Sequence, residues 1–122
     1  MIASVCAHVA APGHRLSAYH ASKGAVRMLS VGLSVELAPD QIRCNTISPG
    51  YIDTPMTEAL REKDPRLVKI MENAPPMKRI GNRNDLTGAV IYLLSDASRY
   101  TTGADILITG GLHGGRIEYG DE

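Results

Sequence analysis

The sequence predicts an α/β fold, a parallel sheet whose strands are joined by crossover helices. Three observations carry that expectation. Three short apolar runs, at 1–5, 42–48 and 104–109, read as strands. Segments of helical periodicity lie between them, so strand and helix alternate along the chain. Pro49-Gly50 and Gly110-Gly111 punctuate the second and third runs where each should stop.

The first run, 1–5, reads as a strand or the tail of one, and Pro12-Gly13 marks the loop behind it. A helix is expected over 17–38. Ala25, Leu29, Leu33 and Leu37 recur every four residues as one apolar stripe. Ala21, Met28 and Val35 lie off that stripe and are apolar too, which calls for cover on more than one side. Ser17 is placed to cap the start, and Pro39-Asp40 ends the helix. After the second strand, Leu60, Leu67, Val68, Ile70 and Met71 suggest one or two helices over 55–76, forming a lid closed by Pro75-Pro76. Arg79-Ile80-Gly81 turns the chain. Asn84 is placed to cap a further helix through Leu94, with Leu86, Val90, Leu93 and Leu94 on its inner face. Gly103 resets the backbone for the third strand. The segment 112–122 is Gly-rich and polar and reads as a flexible tail. Three strands make a poor parallel sheet, which normally has cover on both faces and neighbours on both edges, so the chain reads as part of something larger.

A length of 122 residues fits one small domain. Thirteen basic residues balance thirteen acidic ones without a basic stripe, which argues against nucleic acid or an anionic membrane surface as a primary partner. The apolar runs are too short to span a bilayer, and the first residues lack the basic flank and long apolar stretch of a signal peptide. Cys6 and Cys44 have no CxxC spacing and read as reduced thiols of a cytoplasmic protein, packed as small hydrophobes. With no Trp or Phe, aliphatic side chains must make the core. His8, His14, His20 and His113 share no metal-ligand spacing and read as solvated or loop residues; Asp53, Asp85 and Asp96 read as caps or turn residues.

The most informative pair is Tyr19 and Lys23, four residues apart at the start of the expected helix. Four residues is one turn, so both side chains project from one face. A free phenol ionises at about pH 10. An ammonium beside it favours the phenolate and brings the proton within reach of chemistry, as a donor to a forming alkoxide or an acceptor from an alcohol.

These residues resemble the C-terminal half of the short-chain dehydrogenase/reductase family over 2–111. Tyr19-His20-Ala21-Ser22-Lys23 is similar to its YxxxK active-site motif, and 42–50 (Ile-Arg-Cys-Asn-Thr-Ile-Ser-Pro-Gly) to its IRVNxxxPG segment. Ile52-Asp53-Thr54-Pro55-Met56, Arg79-Ile80-Gly81 and the terminal Thr102-Gly103 through Gly110-Gly111 continue the likeness. The resemblance implies the C-terminal half of a Rossmann-type doubly wound parallel sheet, about three strands with crossover helices, over 1–111. It implies NADP or NAD as cofactor, a small alcohol or ketone as substrate, and a homo-oligomer when full length, packed through the long helix. Tyr19 would be the general acid/base. Lys23 would tune it and, together with Tyr19, hold the cofactor ribose. Ser4 would polarise the substrate carbonyl, and Cys6 stands where some relatives carry a second serine. Pro49, Gly50, Ile52 and Thr54 would hold the nicotinamide carboxamide, and the lid would be the variable substrate loop. A looser likeness to fungal polyol reductases points to a polyol, sugar or hydroxyketone.

The family's Gly-rich TGxxxGxG turn, NNAG segment and catalytic asparagine are not among these residues, and Thr109 stands where many relatives have aspartate. Two readings therefore stand side by side. One is an NAD(P)-dependent oxidoreductase, inactive as this chain alone. The other is a non-catalytic remnant or interaction module that pairs its strand edge with a partner. Plainer roles stand beside three of the site residues: Ser4 bonded to backbone, Thr54 capping a helix before Pro55, and Pro49-Gly50 ending a strand.

Overall fold

The computed structural model describes residues 1–115 and residue 117. It contains four α-helices, α1 (Ser17–Glu36), α2 (Pro55–Lys63), α3 (Pro65–Asn73) and α4 (Asn84–Leu94), and two strands, β1 (Thr46–Pro49) and β2 (Asp105–Ile108). β1 and β2 run parallel, with Thr46 beside Asp105 and Pro49 beside Ile108. Ile2 adds a single parallel bridge to Ile47. Thr46 and Gly50 donate backbone hydrogen bonds toward β2, whereas Ile47 exchanges them with residues 1–3, so the Ile2 segment flanks the other edge of β1.

The strand expected at 1–5 is thus one bridging residue. Ser4 ends it, because its hydroxyl accepts the Cys6 N–H at 3.1 Å and caps a 3₁₀ turn, Val5–Ala7. The second strand starts at Thr46, four residues later than expected. Residues 43–45 make no regular ladder: the Cys44 carbonyl accepts the Gly103 N–H and the Asn45 carbonyl the Met1 amino group, and the other bonds run to or through side chains. Arg43 donates to Thr101 O and Leu93 O, the Cys44 N–H to Thr102 Oγ1, and the Asn45 side chain bridges Thr101 O and the Ala104 N–H. The lid is two helices, broken at Asp64-Pro65, where the Asp64 carboxylate accepts the Leu67 N–H at 3.1 Å.

α1 packs on the sheet by a face the periodicity did not single out. Ser30 and Ser34 are its buried residues, while Leu29 of the apolar stripe is 54% exposed, and Met28 and Val35 off the stripe are more exposed still. Small side chains are what this contact admits: a Cβ on Gly103 would lie 2.7 Å from Ser34 Oγ. Ser17 is the first helical residue and not a cap; Leu16 precedes it without a side-chain bond. Asn84 likewise begins α4 instead of capping it. The Asn82 side chain accepts the Asn84 N–H at 2.9 Å, and Asp85 accepts the Asn82 N–H at 2.8 Å. Leu94 closes α4 and is exposed rather than inward, and Val90 is exposed at a groove it shares with Ile47 and Leu93.

Side chains alternate across the strands. Thr46, Ser48 and Asp105 lie on the α1 side, and Ile47, with Val90 and Leu93 of α4, on the other. A compact apolar cluster of Val5, Cys6, Ala11 and Leu112, with Leu16, Tyr51 and Ala74 against it, packs the loops next to the strand ends. Leu112 belonged to the expected tail, yet it is buried in this cluster and opens a 3₁₀ turn to Gly114. The tail at 116 and 118–122 lies outside the described residues. No helix among the described residues is long and apolar enough to cross a membrane.

Candidate active site at the carboxyl ends of the strands

Parallel strands present their carboxyl ends on one edge, where open α/β sheets receive ligands. Ser4 follows Ile2 there, Pro49 ends β1 and Gly50 follows it, and Thr109-Gly110 follows β2. Tyr19 and Lys23 sit on the first two turns of α1. The Lys23 ammonium lies 5.8 Å from the centroid of the Tyr19 ring, within reach of a cation–π contact, so the two side chains do share a face. The same ammonium donates to Ile2 O at 3.2 Å, two residues before Ser4. Lys23 therefore ties the Tyr19 helix to the segment that carries Ser4. Tyr19 is 42% exposed and open to a ligand.

Ser4 is buried and bonded to backbone, the plainer of its two readings. A hydroxyl that accepts one bond keeps its hydrogen to donate, so this role does not consume it. Thr54 caps α2, its hydroxyl accepting the Thr57 N–H at 3.5 Å. Ile52 bridges to Gly81, and its carbonyl accepts from Thr57 Oγ1 at 3.1 Å. Gly50 has a reason inside the protein for lacking a side chain: a Cβ there would lie 2.8 Å from Thr109 Cα.

Of the histidines expected to be solvated or in loops, His8 and His14 lie in loops and His113 is exposed, whereas His20 stands in α1; each makes a hydrogen bond. His20 accepts the N–H of buried Ala11 at Nε2 (3.1 Å), so its hydrogen sits on Nδ1, which donates to Leu16 O at 2.5 Å. This residue of the Tyr–Lys motif pins the loop between Ser4 and α1. His8 pairs with Asp105 and His113 with Thr109 Oγ1 (2.6 Å). His14 donates from Nδ1 to Pro12 O at 2.8 Å and stacks on Tyr51 with centroids 5.7 Å apart. Tyr51 was not singled out in the sequence, although an aromatic residue directly after the Pro-Gly turn was the available signal. Its hydroxyl donates to the same Pro12 carbonyl at 3.4 Å, which joins the loop after Ser4 to the bend after β1. Burial, with Cys6 nearby, pushes the Tyr51 phenol up to about 12. It stays neutral and serves as a wall, not as an acid or base.

Tyr51, Ile52, Ile108 and Thr109 also line a cavity of about 210 Å³ whose rim carries Arg79 and Asp85. Arg79 grips Asp85 through two nitrogens, at 2.7 and 2.9 Å. That grip first, and the Asn82 N–H second, hold the Asp85 carboxyl at about 2, below its ordinary 3.8. A depressed folded value stabilises the native state above the unfolded value and loses that contribution as pH falls through the folded one. The clip is expected to be intact above pH 3.8 and released as pH approaches about 2. Carboxyl ¹³C titration of Asp85 should show this midpoint, and Arg79→Gln should move it back up; an ordinary midpoint in the unsubstituted chain would contradict the clip.

Comparison with known proteins places the chain in a family. A family model described as enoyl-(acyl carrier protein) reductase matches residues 1–113. Sorbose reductase of Schizosaccharomyces pombe is 45% identical over 109 residues, covering 89% of this chain and 41% of that protein. NADP-dependent mannitol dehydrogenase of Hypocrea jecorina is 44% identical over 109 residues, covering 89% of this chain and 40% of that one. The crystal structure of a short-chain type dehydrogenase/reductase from Mycobacterium marinum superposes with a TM-score of 0.84 at 42% identity, over 91% of this chain and 42% of that one. That of a putative 2-deoxy-D-gluconate 3-dehydrogenase from Agrobacterium tumefaciens with bound NADP gives 0.80 at 38% identity, over 91% and 44%. The chain spans about two-fifths of the length of the curated relatives it matches.

Proposed function

The chain belongs to the short-chain dehydrogenase/reductase family, and from that membership we propose that it carries the proton-transfer and substrate-orienting part of an NAD(P)-dependent oxidoreductase. The substrate class is a polyol, a sugar or a hydroxyketone, supported by relatives named sorbose reductase and mannitol dehydrogenase. The single observation that carries the reading is the Lys23 ammonium, placed between the Tyr19 ring and the backbone that enters Ser4.

The residues present fit the nicotinamide end of a dinucleotide. Tyr19 and Lys23 offer a hydroxyl and an ammonium to ribose hydroxyls. Pro49, Gly50, Ile52 and Thr54 supply the backbone and hydroxyl edge that would meet a carboxamide. The Gly-rich turn that receives a pyrophosphate is not among these residues. When bound, the cofactor supplies the hydride. This chain's own work is to hold the carbonyl by the Ser4 hydroxyl and to deliver a proton to its oxygen from the Tyr19 hydroxyl, with Lys23 holding the Tyr19 helix against the segment that carries Ser4. Neither the long-helix oligomer nor a cytoplasmic location is needed for these steps. The exposed Met28, Leu29 and Val35 on α1 support an oligomer through that helix.

A second reading has one observation of its own. The edge at Met1 and Ile2 is about half exposed, beside the groove of Ile47, Val90 and Leu93, and would suit an interaction module that takes a partner's strand. Titrating NADPH and NADH by fluorescence separates the two. The oxidoreductase reading expects binding once a nucleotide-binding half precedes Met1, with ketose reduction following. Binding without reduction of any hydroxyketone, or no binding at millimolar cofactor, favours the interaction module.

A further inference from the structure

One carboxylate collects the segments on which the proposed chemistry depends. Asp105, at the start of β2, accepts from Thr46 Oγ1 and Ser48 Oγ, both at 2.7 Å on one oxygen. Its other oxygen meets His8 Nε2 at 2.5 Å and faces Arg27 Nε at 3.4 Å. An ionised carboxylate only accepts, so every neighbour brings a hydrogen or a positive charge, and Nε2 of His8 carries its proton. Burial works against that charge, but the hydrogen bonds from Ser48, Thr46 and His8 outweigh it and leave the carboxyl below its usual range.

The path of the chain gives these contacts their meaning. The Ile2 segment and β2 flank β1 on opposite sides, so His8 reaches across β1 to Asp105. His8 closes the 3₁₀ turn that Ser4 opens: its N–H donates to Val5 O at 2.9 Å, while Ser4 Oγ accepts from Cys6. Arg27 stands one helical turn beyond Lys23, on the same side of α1. Its Nε is buried and makes no directed hydrogen bond, so its hold on Asp105 is Coulombic. His8, Arg27 and Asp105 are the charged or titratable groups lining this polar cavity, with Ser30 and Thr46 as neutral neighbours.

We propose that Asp105 is a positioning residue that fixes the turn carrying Ser4 against the helix carrying Tyr19 and Lys23. The proposal rests on the reading of those three residues as one catalytic group. It can be tested on the 122-residue chain by NMR without cofactor. Asp105→Asn keeps the size of the side chain and an acceptor for Thr46 and Ser48 but removes the charge. The Cys6 amide is expected to exchange at least about tenfold faster, a loosening of roughly 1.4 kcal/mol. The His8 Nε2 and Tyr19 ring resonances are expected to shift with it, while amides of α3 stay in place. A purely local brace of the sheet would not move the Tyr19 ring. His8→Gln separates only the turn and leaves Asp105 with Thr46 and Ser48, so it decides the matter if Asp105→Asn fails to fold. An unchanged Cys6 exchange rate and Tyr19 ring in His8→Gln would overturn the proposal. Failure of wild-type cofactor binding would count against the catalytic reading instead and would leave these signals as they are.

Discussion

Tyr19→Phe is expected to lower ketone reduction by about 10²–10⁴-fold, the range a positioned general acid contributes, in a polypeptide where a nucleotide-binding half precedes Met1. The substitution removes one oxygen and keeps the ring. The aromatic face 5.8 Å from the Lys23 ammonium survives, and so does the Lys23 bond to Ile2 O. Half-exposed Tyr19 also contributes little to the core, so stability should hardly change. The loss should therefore fall mainly on kcat, where the missing proton lowers kcat and kcat/KM together, with a smaller rise in KM for the cofactor from the hydroxyl withdrawn from its ribose. Steady-state kinetics with NADPH and a ketose would measure it. Wild-type turnover in Tyr19→Phe would remove Tyr19 from the proposed chemistry, and with it the reading of the whole edge.

The alternation of strand and helix was legible because it rests on spacing, which a sequence displays directly. So was the Tyr19–Lys23 face, since four residues make one turn, and so was a helical lid, though its number of helices was left open and its break at Asp64-Pro65 was not marked. Strand ends were not legible. They are set here by side chains that take over backbone groups: Ser4 on Cys6, and Asn45 and Arg43 on residues 93–104. Nothing in the local pattern separates such a residue from one in a ladder. The inner face of α1 was misread for a different reason. Hydrophobic periodicity finds the apolar stripe, but the residues turned inward are Ser30 and Ser34, the latter against Gly103, and Met28, Leu29 and Val35 are left outside. The histidine bonds lay out of reach as well, most clearly His8 to Asp105, whose partners are 97 residues apart.

Gly50→Ala is the substitution expected to cost the most stability, about 1–3 kcal/mol, by crowding a packed contact. The backbone angle is not the cause, since Gly50 does not adopt a positive φ. The cause is distance: the new Cβ would lie 2.8 Å from Thr109 Cα and 3.2 Å from Thr109 O. These are backbone atoms and cannot swing aside as a side chain would. Relief requires β1 and β2 to part at their carboxyl ends, which strains the Gly50 N–H bond to Ile108 O at 2.8 Å. The same displacement would tilt Tyr51 off His14 and unseat the bend that leads to Ile52 and Thr54, so the damage reaches the candidate site as well as the sheet. Gly88→Ala supplies the opposite control. Gly88 lies inside α4 with nothing within 4 Å of a Cβ, so the substitution should gain up to about 1 kcal/mol from helix propensity alone. Urea midpoints of the two variants should therefore move in opposite directions from the wild-type chain. If Gly50→Ala unfolds at the wild-type midpoint, the close approach of the two strand ends is not a constraint on this fold.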